Sequence, residues 1–227
     1  MPCEARCIGA KEKEMSSLKV YGVARSRAFR ALWMTAELGL DYNHVKIDFV
    51  HGGTRTPEYL AVNPNGHIPA IDDDGFILWE SMAINLYLAK KYSPGGLYPD
   101  RPEAEARAWQ WCFWGMTEVE PPSRTALVNR VGYPGRERDP AAADAAERAL
   151  AAPLKVLDGI VGTGRYLLGD HFSVADLNVA SILTWARQAR VDLSAVPNTA
   201  AWLRTCHDRP AAQATRQLQR REAGTKR

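Results

Sequence analysis

The sequence predicts an α/β domain joined by a short linker to an all-α domain. Three observations carry that prediction. Between Leu18 and Ser93, short apolar runs alternate with segments of helical periodicity. Ser93-Pro94-Gly95-Gly96 then interrupts the pattern, and Pro99 to Pro102 continues the break. Beyond it, four segments keep helical spacing and none reads as a strand. The expected organisation is a disordered extension over residues 1–17, an α/β domain over 18–93, a linker over 94–102 and a helical domain over 103–227.

Leu18 to Gly22 is short, apolar and closed by glycine, which fits a strand. After Ser26, Arg27 to Leu38 sets Ala28, Leu32 and Ala36 at helical spacing and stops at Gly39. Tyr42 to Phe49 alternates as a second strand. Thr56-Pro57-Glu58-Tyr59-Leu60 reads as a cap, a first-turn proline and a short helix. A strand pair flanks the Asp- and Gly-rich turn from Asp72 to Gly75. Ser81 to Tyr92 forms a helix with Ile84, Leu88 and Tyr92 on one face. The helical domain is expected to hold Glu103 to Val119, Ala141 to Gly159, Ser173 to Arg187 and Asn198 to Cys206. Ser173-Val174-Ala175-Asp176 reads as a capping box with Asp in place of Glu. The basic run from Arg216 to Arg221, continuing to Lys226 and Arg227, reads as a solvated helical tail.

With 46% hydrophobic and 24% charged residues in 227, the chain has an ordinary globular composition. A formal net charge of +3 argues against non-specific nucleic-acid binding. No apolar run approaches the length of a transmembrane helix. The segment Met1 to Met15 carries charges but no apolar core, so it does not read as a secretory signal, and Met15 stands as an alternative start. Four cysteines do not make a disulfide framework in a chain of this length. Cys3 and Cys7 lack two further ligands for a metal, and Asp72-Asp73-Asp74 would point outward from a hairpin, so no metal is expected. A reducing, cytoplasmic compartment follows from this cysteine usage.

The segment from Val62 to Ala83 carries the chemistry. Pro69 sits between an aliphatic residue and a strand, where proline marks an edge, a bulge or a cis turn. A cis turn there leaves the amide and carbonyl of Ile68 to pair with an extended peptide. Glu80-Ser81 opens a helix, which sets N–H groups and a hydroxyl where a carboxylate can dock. The pattern describes a peptide-binding turn beside an anion site.

In Asn63-Pro64-Asn65-Gly66-His67-Ile68-Pro69, Trp79-Glu80-Ser81-Met82-Ala83-Ile84 and Ser173-Val174-Ala175-Asp176, taken in register, the chain resembles the cytosolic glutathione transferases, and in particular bacterial, serine-type members. The similarity runs from Leu18 to about Arg209. It implies a thioredoxin-like domain followed by a helical-bundle domain, a homodimer, and glutathione as co-substrate of a hydrophobic electrophile; reduction, dehalogenation or isomerisation at the same thiolate site, and glutathione binding without turnover, are the alternatives. By resemblance, Pro69 is the family's cis-proline and Ile68 pairs with the cysteinyl part of glutathione. Glu80 and Ser81 hold the γ-glutamyl end, His67 lies near the glycyl carboxylate, and Asp176 is a structural cap.

Two hydroxyls compete to stabilise the glutathione thiolate: Ser26 at the loop-to-helix junction, and Tyr21 at the end of the first strand. Arg25 and Arg27 flank Ser26 and resemble arginines of some tyrosine-type sequences, yet the loop as a whole is closer to the serine type. Arg25 occupies the position where cysteine-type members carry cysteine, which disfavours disulfide exchange; it is expected at the thiol or the substrate. Ser26 as a plain helix cap, Tyr21 as a packed strand residue and His67 as a solvated loop residue are the competing structural readings. Trp109, Trp111, Phe113 and Trp114 share one helix and cannot all face one way. Trp114 with Glu118 is expected to face the electrophile pocket.

Overall fold

The computed structural model describes residues 17–224. The extension expected over 1–17, except Ser17, lies outside the described residues, as do Lys226 and Arg227. Strands β1 (Leu18–Tyr21), β2 (Asn43–Val45), β3 (Ala70–Asp73) and β4 (Phe76–Trp79) form one sheet in the order β2-β1-β3-β4. β1 runs parallel to β2, while β3 is antiparallel to both β1 and β4.

Alternation along β1 sorts its side chains between two layers. Leu18 and Val20 enter the core shared with helices α1 (Ala28–Glu37) and α3 (Ser81–Tyr92). On the opposite face Lys19 pairs with Asp72 at 2.9 Å, and the Tyr21 ring lies 6.2 Å from Tyr59 of α2 (Pro57–Val62). α2 is capped as its sequence requires, with the Thr56 side chain accepting from Tyr59 N–H. Asp74 and Gly75 both take positive φ, 56° and 87°, which makes the tight turn between β3 and β4.

β2 is shorter than the span expected from Tyr42 to Phe49. Gly22 N–H donates to Val45 O at 2.9 Å just as β1 ends, so the following residues have no neighbouring strand to pair with. The Asp48 carboxylate then turns the chain by accepting from the amides of Val50 and His51 at 3.0 and 3.2 Å.

The second domain contains α4 (Pro102–Trp114), a π-helical segment Gly115–Val119, α5 (Glu120–Arg130), α6 (Pro140–Val161), α7 (Val174–Gln188), α8 (Pro197–His207) and α9 (Pro210–Gly224). α5 lies outside the four helical segments expected. Pro121 and Pro122 stand in its first turn, where a missing N–H costs little. α7 is the central post, and every residue from Val174 to Thr184 is buried. Asp176 caps it as expected, accepting from Ser173 N–H and Oγ at 3.0 and 2.9 Å. It also accepts from Leu167 N–H at 2.9 Å and Trp202 Nε1 at 3.0 Å, tying α8 to α7.

α9 is not the solvated tail its charges suggest. Its small residues Ala212 and Thr215 are buried, and the helix packs on α1. At its start, Arg209 makes two 2.8 Å bonds to the Glu37 carboxylate of α1. The domains are also joined by Asn85 Nδ2 donating to Asn178 Oδ1 at 2.7 Å. Cys112 and Cys206 are buried free thiols, and burial pushes Cys112 up to about 11, so both serve packing. Among the described residues no helix is long and apolar enough to cross a membrane, and no group of metal-binding side chains is present.

Candidate active site

The turn from Asn63 to Pro69 is built by side chains that point back into the protein. Asn63, 2% exposed, donates from Nδ2 to His67 O at 2.7 Å and accepts from Asn65 N–H at 3.1 Å. The Tyr59 hydroxyl donates to the same His67 carbonyl at 2.6 Å. These bonds hold the backbone that leads into Ile68, and the Ile68–Pro69 peptide is cis. Among the described residues nothing bonds the amide or carbonyl of Ile68. An extended ligand therefore finds one donor and one acceptor there, presented as a strand edge would present them.

Ser26 lies on the loop that links β1 to α1. Gly22 opens this loop at φ 130°, and a Cβ there would lie 2.6 Å from the Cβ of Ala28, so only glycine permits so close a crossing. The Ser26 hydroxyl donates to Val23 O at 2.7 Å and accepts from Ala28 N–H at 3.0 Å. It therefore does cap the start of α1. Its proton is aimed at a backbone carbonyl, and stabilising a sulfur anion requires that proton to swing toward the cavity.

That loop is held from an unexpected direction. Glu222 of α9 accepts from Ala24 N–H at 2.7 Å, and Gln219 donates to Ala24 O at 3.1 Å. His44 donates from Nε2 to Gly22 O at 2.8 Å, completing the clamp. Replacing Glu222 with alanine leaves the Ala24 amide without its acceptor, a loss of about 1–3 kcal/mol of local order. Amide exchange at Ala24 and Ser26 is expected to quicken about tenfold or more. Exchange unchanged from wild type would remove α9 from any role in ordering the loop.

At the start of α3, Glu80 takes φ 74° and ψ 113°, a conformation that costs a non-glycine residue about 1–3 kcal/mol. No side chain caps this terminus, so the first amides of α3 remain available to an anion. Ser81, 3% exposed, accepts from Arg30 NH1 at 3.1 Å. Behind it stands a buried ionic cluster that sequence reasoning did not find. Glu120 Oε1 accepts from Arg27 Nε at 2.6 Å, and Oε2 lies 2.6 Å from Arg30 NH2. Both guanidinium groups stack on Trp185, at 5.2 and 5.1 Å from its ring. Burial alone would raise the Glu120 carboxyl, but Arg30 and Arg27 hold it below its ordinary value. The sequence signal was a pair of arginines three apart on an otherwise apolar helix.

A cavity of about 640 Å³ opens between the domains. Arg25, Ser26, His67 and Ile68 line it, so four of the residues singled out from sequence converge. Tyr21, Pro69, Glu80, Ser81, Trp114 and Glu118 are not among its lining residues. Tyr21 packs on Tyr59, and Trp114 packs edge-on against Trp111 at 5.0 Å. The wall from the helical domain is supplied instead by α5, the 131–134 turn and Trp185.

Known proteins share this fold. Residues 16–90 match the glutathione S-transferase N-terminal domain, and residues 109–210 match the glutathione S-transferase C-terminal domain. The chain belongs to the glutathione S-transferase family. Glutathione S-transferase 4 of Zea mays is 34% identical over 207 residues, covering 89% of this chain and 93% of the maize protein. The theta class glutathione S-transferase of Xanthomonas axonopodis pv. citri, solved with glutathione bound, superposes with a TM-score of 0.82 at 32% identity. That match covers 88% of this chain and 97% of the other. Human elongation factor 1-gamma is 31% identical over 195 residues, covering 83% of this chain but 43% of the human protein. As a glutathione S-transferase, the protein has the thioredoxin-like first domain and all-helical second domain of the family.

Proposed function

We propose that this glutathione S-transferase is a serine-type enzyme, binding glutathione along the Ile68 turn and using its thiolate to attack an electrophile held in the cavity. One observation carries the reading: the Ser26 hydroxyl and the unpaired Ile68 backbone line the same cavity. The γ-glutamyl carboxylate would take the open amides of α3 and the Ser81 hydroxyl, with Glu80 accepting from the α-amino group. His67 would face the glycyl carboxylate. The cysteinyl sulfur then falls between Ile68 and Ser26.

The free thiol has a pKa of ~8.5, and bringing it down about two units takes ~2.7 kcal/mol of preference for the thiolate. A hydroxyl donor at Ser26 and the cationic lining supply that preference. Attack forms a carbon–sulfur bond while the leaving group departs with its electron pair, and the thiol proton passes to solvent. Tyr21 is the weaker candidate for this role because its ring packs beside Tyr59.

Ser26→Ala is expected to lower kcat/KM with chlorodinitrobenzene by about 10–100-fold, and to move the bound thiol toward ~8.5. Tyr21→Phe is expected to keep most of the activity. The reverse pattern would transfer the role to Tyr21. A second reading, a glutathione-binding protein without turnover, is favoured by one observation: the Ser26 proton already has an acceptor in Val23 O. Glutathione binding with no conjugation of any tested electrophile would select it.

We also propose a homodimer. Each domain carries exposed apolar side chains: Phe76 and Trp79 on β4, Trp109 and Phe113 on α4, with Phe113 71% exposed. Light scattering is expected to give the mass of two chains for wild type and of one for Phe113→Glu. A monomeric wild type would end this proposal.

A further inference from the structure

We infer that the second substrate is an anion, an aromatic or apolar electrophile bearing a carboxylate or similar group that Arg124 receives; this rests on the glutathione-transferase reading above. The cavity wall contains four arginines, Arg25, Arg27, Arg55 and Arg124, and no aspartate or glutamate. Each has a different relation to glutathione. Arg55 donates to Asn65 O at 3.3 Å, within the turn expected to face the glycyl carboxylate, and so serves that end of the tripeptide. Arg27 shares Glu120 with the buried Arg30, which leaves one positive charge in that cluster of two arginines and one glutamate. Arg25 lies over the Phe49 ring at 5.0 Å, with no carboxylate partner among the described residues. Arg124 is exposed on α5, on the helical-domain wall, and has no partner among the described residues.

Glutathione with its thiolate ionised does not exhaust this field. Its glycyl carboxylate answers Arg55, its γ-glutamyl end carries both signs, and its sulfur adds one negative charge near Arg25 and Ser26. The charge on Arg124 is left over, on the side of the cavity away from the turn that holds glutathione. The remaining wall there is apolar: Leu127, Val131, Tyr133 and Trp185, of which Val131 and Tyr133 are 51% and 39% exposed. A flat apolar body on that wall, ending in an anion at Arg124, satisfies both features. A neutral hydrophobe satisfies only one.

The test compares 4-chloro-3,5-dinitrobenzoate with the isosteric, neutral 4-chloro-3,5-dinitrobenzamide. In both, the thiolate sulfur bonds to the ring carbon bearing chlorine, the carbon–chlorine bond breaks, and chloride leaves with the bonding pair. After division by the uncatalysed rates, kcat/KM is expected to favour the carboxylate by about tenfold or more, falling as sodium chloride screens the charge. Arg124→Gln is expected to bring that ratio close to one. Direct binding of the two preformed glutathione conjugates, read by calorimetry, should show the same preference without requiring turnover. Equal or reversed preference, with both compounds turned over or both conjugates bound, overturns the inference while leaving the glutathione reading intact. Failure to bind glutathione or either conjugate overturns both.

Discussion

Replacing Glu120 with alanine is expected to lower the free energy of unfolding by about 3–5 kcal/mol, the usual result of stripping a buried cation of its partner. Two arginines share this carboxylate, and they are not equally exposed. The Arg27 side chain is 41% exposed and can turn toward water, whereas Arg30 is 1% exposed and cannot. The loss therefore falls on Arg30, held between Trp185 and Ser81. Because Arg30 donates to the Ser81 hydroxyl, the same substitution should also weaken glutathione binding. Urea midpoints and calorimetric titration read the two effects separately. Glu120→Gln keeps the shape and loses the charge, so an intermediate loss is expected. An unchanged urea midpoint in Glu120→Ala would mean that the cluster contributes nothing net.

Acidification is expected to destabilise the protein through His207, by about 2.7 kcal/mol between neutral pH and pH ~4.5. The ring is 1% exposed at the end of α8, against α7 and 5.8 Å from the Trp33 ring of α1. Arg187 donates to its Nδ1 at 3.1 Å, so Nδ1 must be unprotonated and Nε2 carries the hydrogen, facing Thr184 Oγ and Ala180 O at 3.0 and 3.3 Å. Burial, followed by the charges of Arg187 and Arg216, pulls the imidazole down from 6.5 to about 3. The unfolded chain thus binds a proton between those values that the folded chain refuses. Stability is complete above 6.5 and declines as the pH falls toward about 3. In His207→Gln this part of the decline should vanish. Parallel pH profiles for the two proteins would place the acid sensitivity elsewhere.

What was legible in the sequence is what depends on neighbours in the chain. The Asp74-Gly75 turn, the Thr56-Pro57 helix start, the Asp176 cap and the Pro69 turn each follow from a few consecutive residues. Their positions put Ile68, His67 and Ser26 on one cavity. The misses need long-range contacts or a change of helical phase. α9 reads as solvated because Ala212 and Thr215 are weak signals beside the helix's seven charged or amide side chains, and only α1 reveals their purpose. Trp114 and Glu118 were assigned to the pocket by extending one uninterrupted helix through Val119. The π-helical turn from Gly115 to Val119 breaks that phase and shifts Glu118 relative to Trp114, which packs against Trp111 within α4. Glu120 falls between the expected helical segments, and its arginines lie some ninety positions earlier.

The bonds from α9 to Ala24 join residues 198 and 195 positions apart. Domains tend to fold in order as a chain leaves the ribosome. The strands and helices around the Ser26 loop are therefore made long before the residues that fasten it. A nascent chain, or one cut short before Gln219, would form the Asn63 to Pro69 turn and the open start of α3 while the Ser26 loop stayed loose. The last helix thus fastens a loop laid down at the start of the chain, and the order of that loop waits on residues made almost two hundred positions later.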